Sequence, residues 1–324
     1  MPSKPPLLVL VGPTAVGKTA VGIELALSLQ GEVVSADSMQ VYRGLNIGTA
    51  KPTSSEMKGV PHHLLNVADP RDSFNVARYR DLARVAISQI HERGHLPILS
   101  GGTGLYVKAV LGEFLFPDTG SSRAVREQLA AFAEAEGPQA LHDRLAEVDA
   151  PSAARLHPND VRRVTRALEV YIRTRVPMSE HLAKASAAEP LYHTATVGLT
   201  RPRAQLYERI NQRVVAMIGQ GLLREVADLL TAGTLDEGSV AAQALGYKEM
   251  RAYLEGDCSL EEATAHLQQA TRRYAKRQYT WFRNQPDIRW FDLSIWPNPY
   301  AASQAILPHV RRLLHWEKRG RAHL

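Results

Sequence analysis

The first third of the chain alternates between short apolar runs and stretches in which apolar positions recur at helical spacing. Residues 7–11 form an apolar run, a helical pattern follows from Lys18 to about Leu29, and residues 32–37 form the next predicted strand. Another helical pattern runs from about Val76 to Arg93, and residues 97–100 follow it as a strand. The apolar positions that define this last helix include Leu82, Val85, Ala86 and Ile90. Strands that alternate with helices in this way predict a parallel sheet of the α/β class.

The pattern becomes entirely helical from about Pro117, and it includes a basic helix from Val161 to Arg173. Residues 194–199 indicate a return to strand. We therefore predict that residues 117–193 are a helical domain inserted into a core domain made of residues 1–116 and 194–324. In the core domain, further helices are predicted between about residues 203 and 230 and over residues 259–283, and the basic tail at residues 318–321 is predicted to be disordered.

The loop between the first predicted strand and the first helix has the sequence GPTAVGKT, which is a P-loop. Glycines at this spacing let backbone N–H groups point at one centre, and the helix N-terminus behind them adds its positive dipole end. Lys18 supplies a cation for the outer phosphate, and the Thr19 hydroxyl is placed to bind a Mg²⁺ ion held by the same phosphates. The residues predicted to bind a diphosphate here are Gly12, Pro13, Thr14, Ala15, Val16, Gly17, Lys18 and Thr19. The predicted fold is therefore a P-loop NTPase-like parallel α/β sheet flanked by helices, with an inserted all-helical domain.

Composition narrows the possible classes of protein. The 324 residues are 44% hydrophobic and 22% charged, which is enough for a large core divided between two domains. Cys258 is the only cysteine, so an intrachain disulfide is excluded and a reducing compartment fits. No apolar stretch has the length of a signal peptide or a membrane span, and we expect a cytoplasmic protein without a membrane partner. The net charge of +6 leaves nucleic acid open as a partner.

Two polar clusters follow predicted strands, at the sheet edge where α/β folds bind ligands. Asp37 opens the first cluster, and its carboxylate could hold Mg²⁺ through water or accept a proton from the group that attacks the substrate. A carboxylate that only caps the following helix is the structural alternative. The second cluster is the glycine turn at residues 101–104, which contains Thr103 and which could also be a tight connection without a ligand.

Two of the predicted helices are strongly basic. One contains Arg162, Arg163 and Arg166, and in the other Arg273 and Arg277 share a face four residues apart. A solvated charged face is the usual meaning of such a run. Two basic helices in a protein that also binds a diphosphate favour contact with an RNA backbone.

Several segments resemble the tRNA dimethylallyltransferases, the isopentenyl-diphosphate:tRNA transferase family, over nearly the whole chain. The segments that carry the resemblance are GPTAVGKT (12–19), SADSMQVYRG (35–44), NIGTAKP (46–52), PHHL (61–64), GGTGLY (101–106), residues 163–169 and ALGYKE (244–249). The region after about Phe291 is less diagnostic, and it lacks the cysteine and histidine spacing of the zinc-finger extension in eukaryotic relatives. The resemblance therefore implies a bacterial-type enzyme.

The resemblance implies that a dimethylallyl group passes from dimethylallyl diphosphate to the exocyclic amine of the adenine on the 3′ side of the anticodon in tRNA, with Mg²⁺ as cofactor. It also implies that Asp37 takes the proton of that amine, while Lys18, Thr19, Thr103 and Arg213 surround the diphosphate. The catalytic residues would then be Asp37, Thr19, Thr103 and Arg213. The partner would be the anticodon stem-loop, and we expect the enzyme to be a monomer. The residues expected to contact tRNA are Asp37, Ser38, Met39, Gln40, Thr103, Arg162, Arg163, Val164, Thr165, Arg166, Gln243, Ala244, Leu245, Gly246, Tyr247, Lys248, Arg273 and Arg277.

Three other functions are open at this point. A small-molecule kinase would use the same P-loop for ATP, but the basic helices would then have no role. An RNA-binding NTPase switch would not explain the polar cluster at Asp37. A branch of the same family that prenylates free adenine nucleotides would not need the inserted helical domain.

Overall fold

The computed structural model of the chain describes residues 4–72, 74–112, 122–235 and 238–316. The strands in this part of the chain are β1 (Pro6–Val11), β2 (Gly31–Ala36), β3 (His62–His63), β4 (Leu96–Gly101), β5 (His193–Thr200) and β6 (Arg289–Asp292). They form one sheet in the order β3-β2-β4-β1-β5-β6, and every neighbouring pair is parallel. The predicted α/β class with a parallel sheet is confirmed.

Helices flank this sheet and also form a separate helical section. In chain order they are α1 (Lys18–Leu29), α2 (Ser54–Met57), α3 (Val76–Glu92), α4 (Gly104–Leu111), α5 (Arg123–Val148), α6 (Ala150–Ala153), α7 (Val161–Thr174), α8 (Met178–Ala187), α9 (Arg203–Gly219), α10 (Leu222–Thr231), α11 (Tyr247–Leu254), α12 (Leu260–Arg283) and α13 (Pro299–Leu314). A 3₁₀ turn at Ala241–Gln243 precedes α11. None of the described helices is both long and apolar enough to cross a membrane.

The central strands are buried on both faces, as a parallel sheet requires. Leu8 and Leu10 of β1 are fully buried, and the same core cluster includes Ile23 of α1 and Ile306 of α13. Because β1 lies between β4 and β5, the loop after β1 emerges near the middle of the sheet's carboxyl edge. That position places the P-loop beside the segments that follow the neighbouring strands.

Two predicted helices differ from the structure in detail. In α3, Leu82 and Val85 are exposed, whereas Ala83 and Ile87 are buried. Apolar residues occur on more than one side of this helix, so their spacing alone does not select the inner face. The helical stretch after residue 203 is two helices, because Gly221 adopts a left-handed conformation (φ 100°) between α9 and α10.

The chain divides into two compact units, one formed by Met1–Val110 and Leu191–Leu324 and the other by Leu111–Pro190. The second unit is helical and has its own core, which includes Leu129, Leu141, Leu145, Val164 and Leu168. The domain boundary predicted at residue 117 and the disorder predicted at residues 318–321 fall outside the described residues.

Candidate active site

The P-loop connects β1 to α1 in a strongly curved conformation. Gly12 and Gly17 have φ angles of 149° and 118°, and a Cβ atom on Gly12 would lie 2.6 Å from the Leu199 carbonyl oxygen. Since Gly17 is the N-cap of α1 and has no side chain, it leaves the first N–H groups of the helix free of a side-chain cap. The loop therefore presents backbone donors at a helix N-terminus, as an anion site requires.

Three basic side chains donate hydrogen bonds to carbonyl oxygens of the loop. The Lys18 amine donates to the carbonyl oxygens of Gly12 (3.0 Å) and Pro13 (2.8 Å). Arg201 and Arg209 each donate their Nε–H to a further loop carbonyl at 3.1 Å, that of Val16 and that of Ala15 respectively. Burial lowers the pKa of Lys18 to about 8, a shift that the Asp37 carboxylate opposes and the Arg213 guanidinium increases.

Asp37 follows β2 and closes a tight turn. One of its carboxylate oxygens, Oδ1, accepts the backbone N–H groups of Met39 (2.9 Å) and Gln40 (3.3 Å). The Ser38 N–H donates to Oγ1 of Thr103 at 3.1 Å, which joins this turn to the glycine turn after β4. The aspartate is thus a turn-capping residue that also lines a cavity.

Two cavities meet at this edge of the sheet. The P-loop cavity is lined by Lys18, Thr19 and Glu56, among others. The helix cavity is lined by apolar side chains of α9 together with Tyr274 and Arg277 of α12. The residues that line both cavities are Thr14, Asp37, Thr49, Arg213 and Met217.

Arg213 of α9 thus belongs to both cavities. Burial lowers the pKa of its guanidinium, and Asp37 and Glu56 oppose that shift by their negative charge. The prediction from the resemblance places Arg213 beside the P-loop, and in the structure it lines the cavity that contains Lys18 and Thr19.

The inner face of α12 forms part of this site. The Gln278 side chain is buried, accepts the Thr14 backbone N–H at 2.8 Å and donates to the Gly102 carbonyl oxygen at 3.0 Å. Burial raises the pKa of Tyr274 to about 12, so its phenol stays protonated at neutral pH. The sequence predicts RNA contacts for this helix, and in the structure Gln278 also contacts the P-loop while Arg277 lines the helix cavity.

Sequence reasoning missed Gln278 because the surrounding arginines and lysine dominate that stretch. A signal was present, however. Gln278 lies on the same side of the helix as the buried residues Ala275 and Phe282, and a polar residue within an apolar stripe needs partners inside the protein.

The other residues predicted to contact tRNA fall into groups. Gln243, Ala244 and Leu245 line the helix cavity, as do Ser38 and Met39. Gln40 lines the P-loop cavity. The side chains of Lys248 and Arg273 are exposed.

In the helical unit, Arg162 and Arg163 are exposed, Thr165 is partly buried, and Arg166 forms an ion pair with Glu169 at 2.7 Å. Val164 lies in the core of that unit.

Two of the predicted tRNA contacts need correction. Val164 is fully buried in the core of the helical unit, so its side chain does not reach a nucleic acid. Tyr247 is also fully buried, and its hydroxyl group donates to Glu225. Both residues follow polar or glycine-rich neighbours in the sequence, and the helical register turns them inward.

The fold and the site together define an α/β protein of the P-loop class whose phosphate-binding loop adjoins a second cavity with a carboxylate at the junction. The sequence profile of the family described as IPP transferase matches residues 40–285, and the chain belongs to this family. It is 51% identical over 292 residues to a tRNA dimethylallyltransferase of Bacillus pumilus, covering 90% of this chain and 91% of that protein. It is also 50% identical over 308 residues to the Bacillus subtilis tRNA dimethylallyltransferase, covering 95% and 97%.

Solved structures agree with this assignment. The full-length tRNA isopentenylpyrophosphate transferase of Bacillus halodurans is 46% identical and superposes with a TM-score of 0.69, covering 95% of this chain and 98% of that one. A eukaryotic dimethylallyltransferase described as acting on tRNA is 30% identical with a TM-score of 0.83, covering 98% and 82%. The predicted family and the predicted enzyme class are confirmed.

Proposed function

We propose that this enzyme transfers a dimethylallyl group from dimethylallyl diphosphate to the exocyclic amine of the adenine on the 3′ side of the anticodon in tRNA, and that it releases diphosphate. The observation that carries the proposal is the meeting of the two cavities. Asp37 and Arg213 line both of them, so a donor on the P-loop and an acceptor base in the helix cavity share one junction.

The P-loop cavity fits dimethylallyl diphosphate, the prenyl donor. The backbone N–H groups of the loop and the Lys18 amine bind phosphate oxygens. Lys18 and Arg213 also oppose the negative charge that grows on the diphosphate as its bond to the allylic carbon breaks. Beside these cations, Val214 and Met217 of α9 offer an apolar wall suited to a hydrocarbon group.

The helix-cavity side fits the acceptor. An adenine amine is a poor nucleophile because its lone pair is delocalised into the ring, so orientation and proton removal must supply much of the acceleration. In the reaction the new C–N bond forms as the C–O bond breaks, the diphosphate leaves with the electron pair, and the Asp37 carboxylate accepts the amine proton. Thr103 holds the turn that carries Asp37 through its bond to the Ser38 N–H.

Mg²⁺ is the cofactor that we propose. The donors available for it are oxygen atoms, the Thr19 hydroxyl and the carboxylates of Asp37 and Glu56, which suit a hard cation. Within the described residues no group of three or more histidine, cysteine, aspartate or glutamate side chains is arranged to hold a metal. Thr19 would therefore hold the ion together with the substrate's phosphate oxygens, and the bound ion would supply charge neutralisation to the leaving diphosphate.

The partners follow from this reaction. We propose that tRNA binds through its anticodon stem-loop, that the exposed arginines of α7 contact its phosphates, and that the enzyme works in the cytoplasm as a monomer. The target base must leave the stack of the anticodon loop to reach the junction of the cavities.

A labelled-donor incubation tests the function. Dimethylallyl diphosphate labelled in its allyl group should transfer label to unmodified tRNA in the presence of Mg²⁺ and without ATP. A strict requirement for ATP would contradict the proposal and favour a kinase. If the label enters free adenine nucleotides and does not enter tRNA, the result would favour the nucleotide-prenylating branch of the family.

Replacing Asp37 by asparagine tests its proposed role as the proton acceptor. The amide oxygen can still accept the Met39 and Gln40 N–H groups, so the turn is preserved while the basicity is lost. We expect kcat to fall by about a hundred- to ten-thousand-fold with little change in tRNA affinity. The exposed Asp257→Asn exchange is the control, and wild-type turnover by Asp37→Asn would assign the base to another residue.

A further inference from the structure

Glu225, in the first turn of α10, binds a backbone loop that is distant in the sequence. Its carboxylate accepts the N–H groups of three successive residues: Asn46 at 3.1 Å, Ile47 at 2.9 and 3.0 Å, and Gly48 at 3.2 Å. Three consecutive N–H groups that converge on one point form a concave anion site, and here a side chain of the protein fills it.

Tyr247 holds the same carboxylate from the other side. Its hydroxyl group donates to Oε1 of Glu225 at 2.5 Å, and its side chain is fully buried. The ring lies directly against Gly48, where an added Cβ atom would be 2.5 Å from the ring carbon Cε2. Burial and the Glu225 carboxylate raise the pKa of Tyr247, so the hydroxyl remains a donor across the neutral range.

The loop that Glu225 binds also supports the turn that contains Asp37. The carbonyl oxygens of Thr49 (3.2 Å) and Ala50 (3.3 Å) accept the side-chain amide of Gln40, whose own backbone N–H donates to Asp37. Gly48 and Thr49 line the helix cavity, and Asn46, Ile47, Thr49 and Ala50 line the P-loop cavity, so the loop borders both. A hydrogen-bonded chain thus runs from Glu225 through this loop to the turn that contains Asp37.

The contacts that hold the P-loop use other residues. Lys18, Arg201, Arg209 and Gln278 donate to or accept from the P-loop backbone, and their hydrogen bonds to it do not pass through Glu225. A change at Glu225 should therefore alter the Asp37 turn, which Gln40 joins to the Glu225 loop, more than the conformation of the P-loop backbone.

We propose that Glu225 and Tyr247 are positioning residues for the acceptor base: together they fix the loop at residues 46–50, and through Gln40 they set the orientation of the Asp37 turn. This inference rests on the proposed transfer to tRNA, because it assigns a role on the acceptor side of that reaction. Neither residue touches the reacting atoms.

The test uses Glu225→Ala in the full chain, with Asp228→Ala as the control because Asp228 is an exposed carboxylate on the same helix. Removal of the carboxylate leaves three N–H groups and the Tyr247 hydroxyl without their acceptor. We expect kcat/KM for tRNA to fall by about ten- to a hundredfold, while KM for dimethylallyl diphosphate stays within about threefold of wild type. Asp228→Ala should behave as wild type.

Rescue by a small carboxylate separates positioning from a general loss of structure. Formate fits the vacated anion site, so it should restore part of the lost activity of Glu225→Ala, whereas chloride at equal ionic strength should not. Tyr247→Phe removes a single donor and should give a smaller loss of the same kind, in kcat/KM for tRNA.

The outcomes are distinguishable. If the wild-type enzyme does not label tRNA, the proposed function fails. The positioning role is overturned if the wild type labels tRNA and Glu225→Ala retains the wild-type kcat/KM for tRNA. It is also overturned if the KM for dimethylallyl diphosphate rises by the same factor by which kcat/KM for tRNA falls and formate restores no activity. Should Glu225→Ala fail to fold, Glu225→Gln and Tyr247→Phe provide the same comparison, and wild-type kinetics of both would overturn the inference.

Discussion

At the scale of single residues, the amine of Lys18 lies where its charge depends on pH near neutrality. Burial lowers its pKa to about 8. A lysine is charged below its pKa, so the cation that binds the diphosphate is present at pH 7 and is lost as the pH rises through about 8. We expect kcat/KM for dimethylallyl diphosphate to fall above that pH, approaching tenfold per pH unit.

A second lysine in the same cavity could cause the same pH dependence, so the control must distinguish it from Lys18. Burial lowers the pKa of Lys51 to about 8 as well, and Lys51 lines the same cavity. Arginine stays charged throughout this range, so Lys18→Arg should remove the alkaline fall whereas Lys51→Arg should keep it. Measurement of donor binding from neutral to alkaline pH tests the assignment, and an affinity that is constant across that range in the wild type would contradict it.

At the scale of secondary-structure elements, the sequence predicts those whose ends have local signals. The helix α1 spans Lys18–Leu29 as predicted, because the P-loop fixes its start and Gln30 adopts a left-handed conformation at its end. The strand β6 and the helix α13 were not predicted. For α13 a signal was present, because Ile306, Val310 and Leu314 recur every four residues and are buried in the structure. The contact between Glu225 and Ile47 joins residues 178 positions apart, and no local pattern encodes it.

The amino end of the sheet depends on a buried carboxylate, that of Glu32 in β2. It accepts hydrogen bonds from Arg93 (2.7 and 2.9 Å) and lies within hydrogen-bond distance of His63 (2.6 Å) and His95 (2.7 Å). The Arg93 guanidinium is the main cause that lowers the pKa of Glu32 from 4.5 to about 2, and His95 and His63 add to it. The network joins β2 to β3 and to the residues just before β4.

This network predicts a specific loss of stability in acid. Because the pKa of Glu32 is lower in the folded state, its stabilisation is complete above pH 4.5 and is lost as the pH falls towards about 2. The shift corresponds to a contribution of this one carboxylate to the free energy of unfolding on the order of 3 kcal/mol. Glu32→Gln should lower the thermal midpoint at pH 7 and weaken its dependence on pH below 4.5. The exposed Glu92→Gln is the control, and equal midpoints for both variants would contradict the prediction.

At the scale of the whole molecule, the net charge of +6 is small, so the placement of basic residues decides how a polyanion binds. Sequence reasoning treated the basic segments of α7 and α12 alike. The structure separates them, because Arg277 and Gln278 of α12 line the two cavities beside the P-loop, whereas Arg162 and Arg163 are exposed on the helical unit. A one-dimensional pattern cannot distinguish these cases, since the distinction depends on which distant loops pack against each helix.

The exposed pair on α7 gives the cleaner test of phosphate contacts, because Arg277 lines the helix cavity proposed for the acceptor base and its loss would change more than a phosphate contact. Each arginine that neutralises a phosphate releases counterions on binding, so Arg162→Ala/Arg163→Ala should weaken tRNA binding and reduce the slope of log affinity against log salt by about one per lost contact. The KM for dimethylallyl diphosphate should not change. Arg311→Ala/Arg312→Ala, which removes two exposed arginines of α13, carries the same change in net charge and is the matched control. If both double variants reduce the slope equally, α7 acts only through net charge. If both keep the wild-type slope, the arginines of α7 face solvent in the complex.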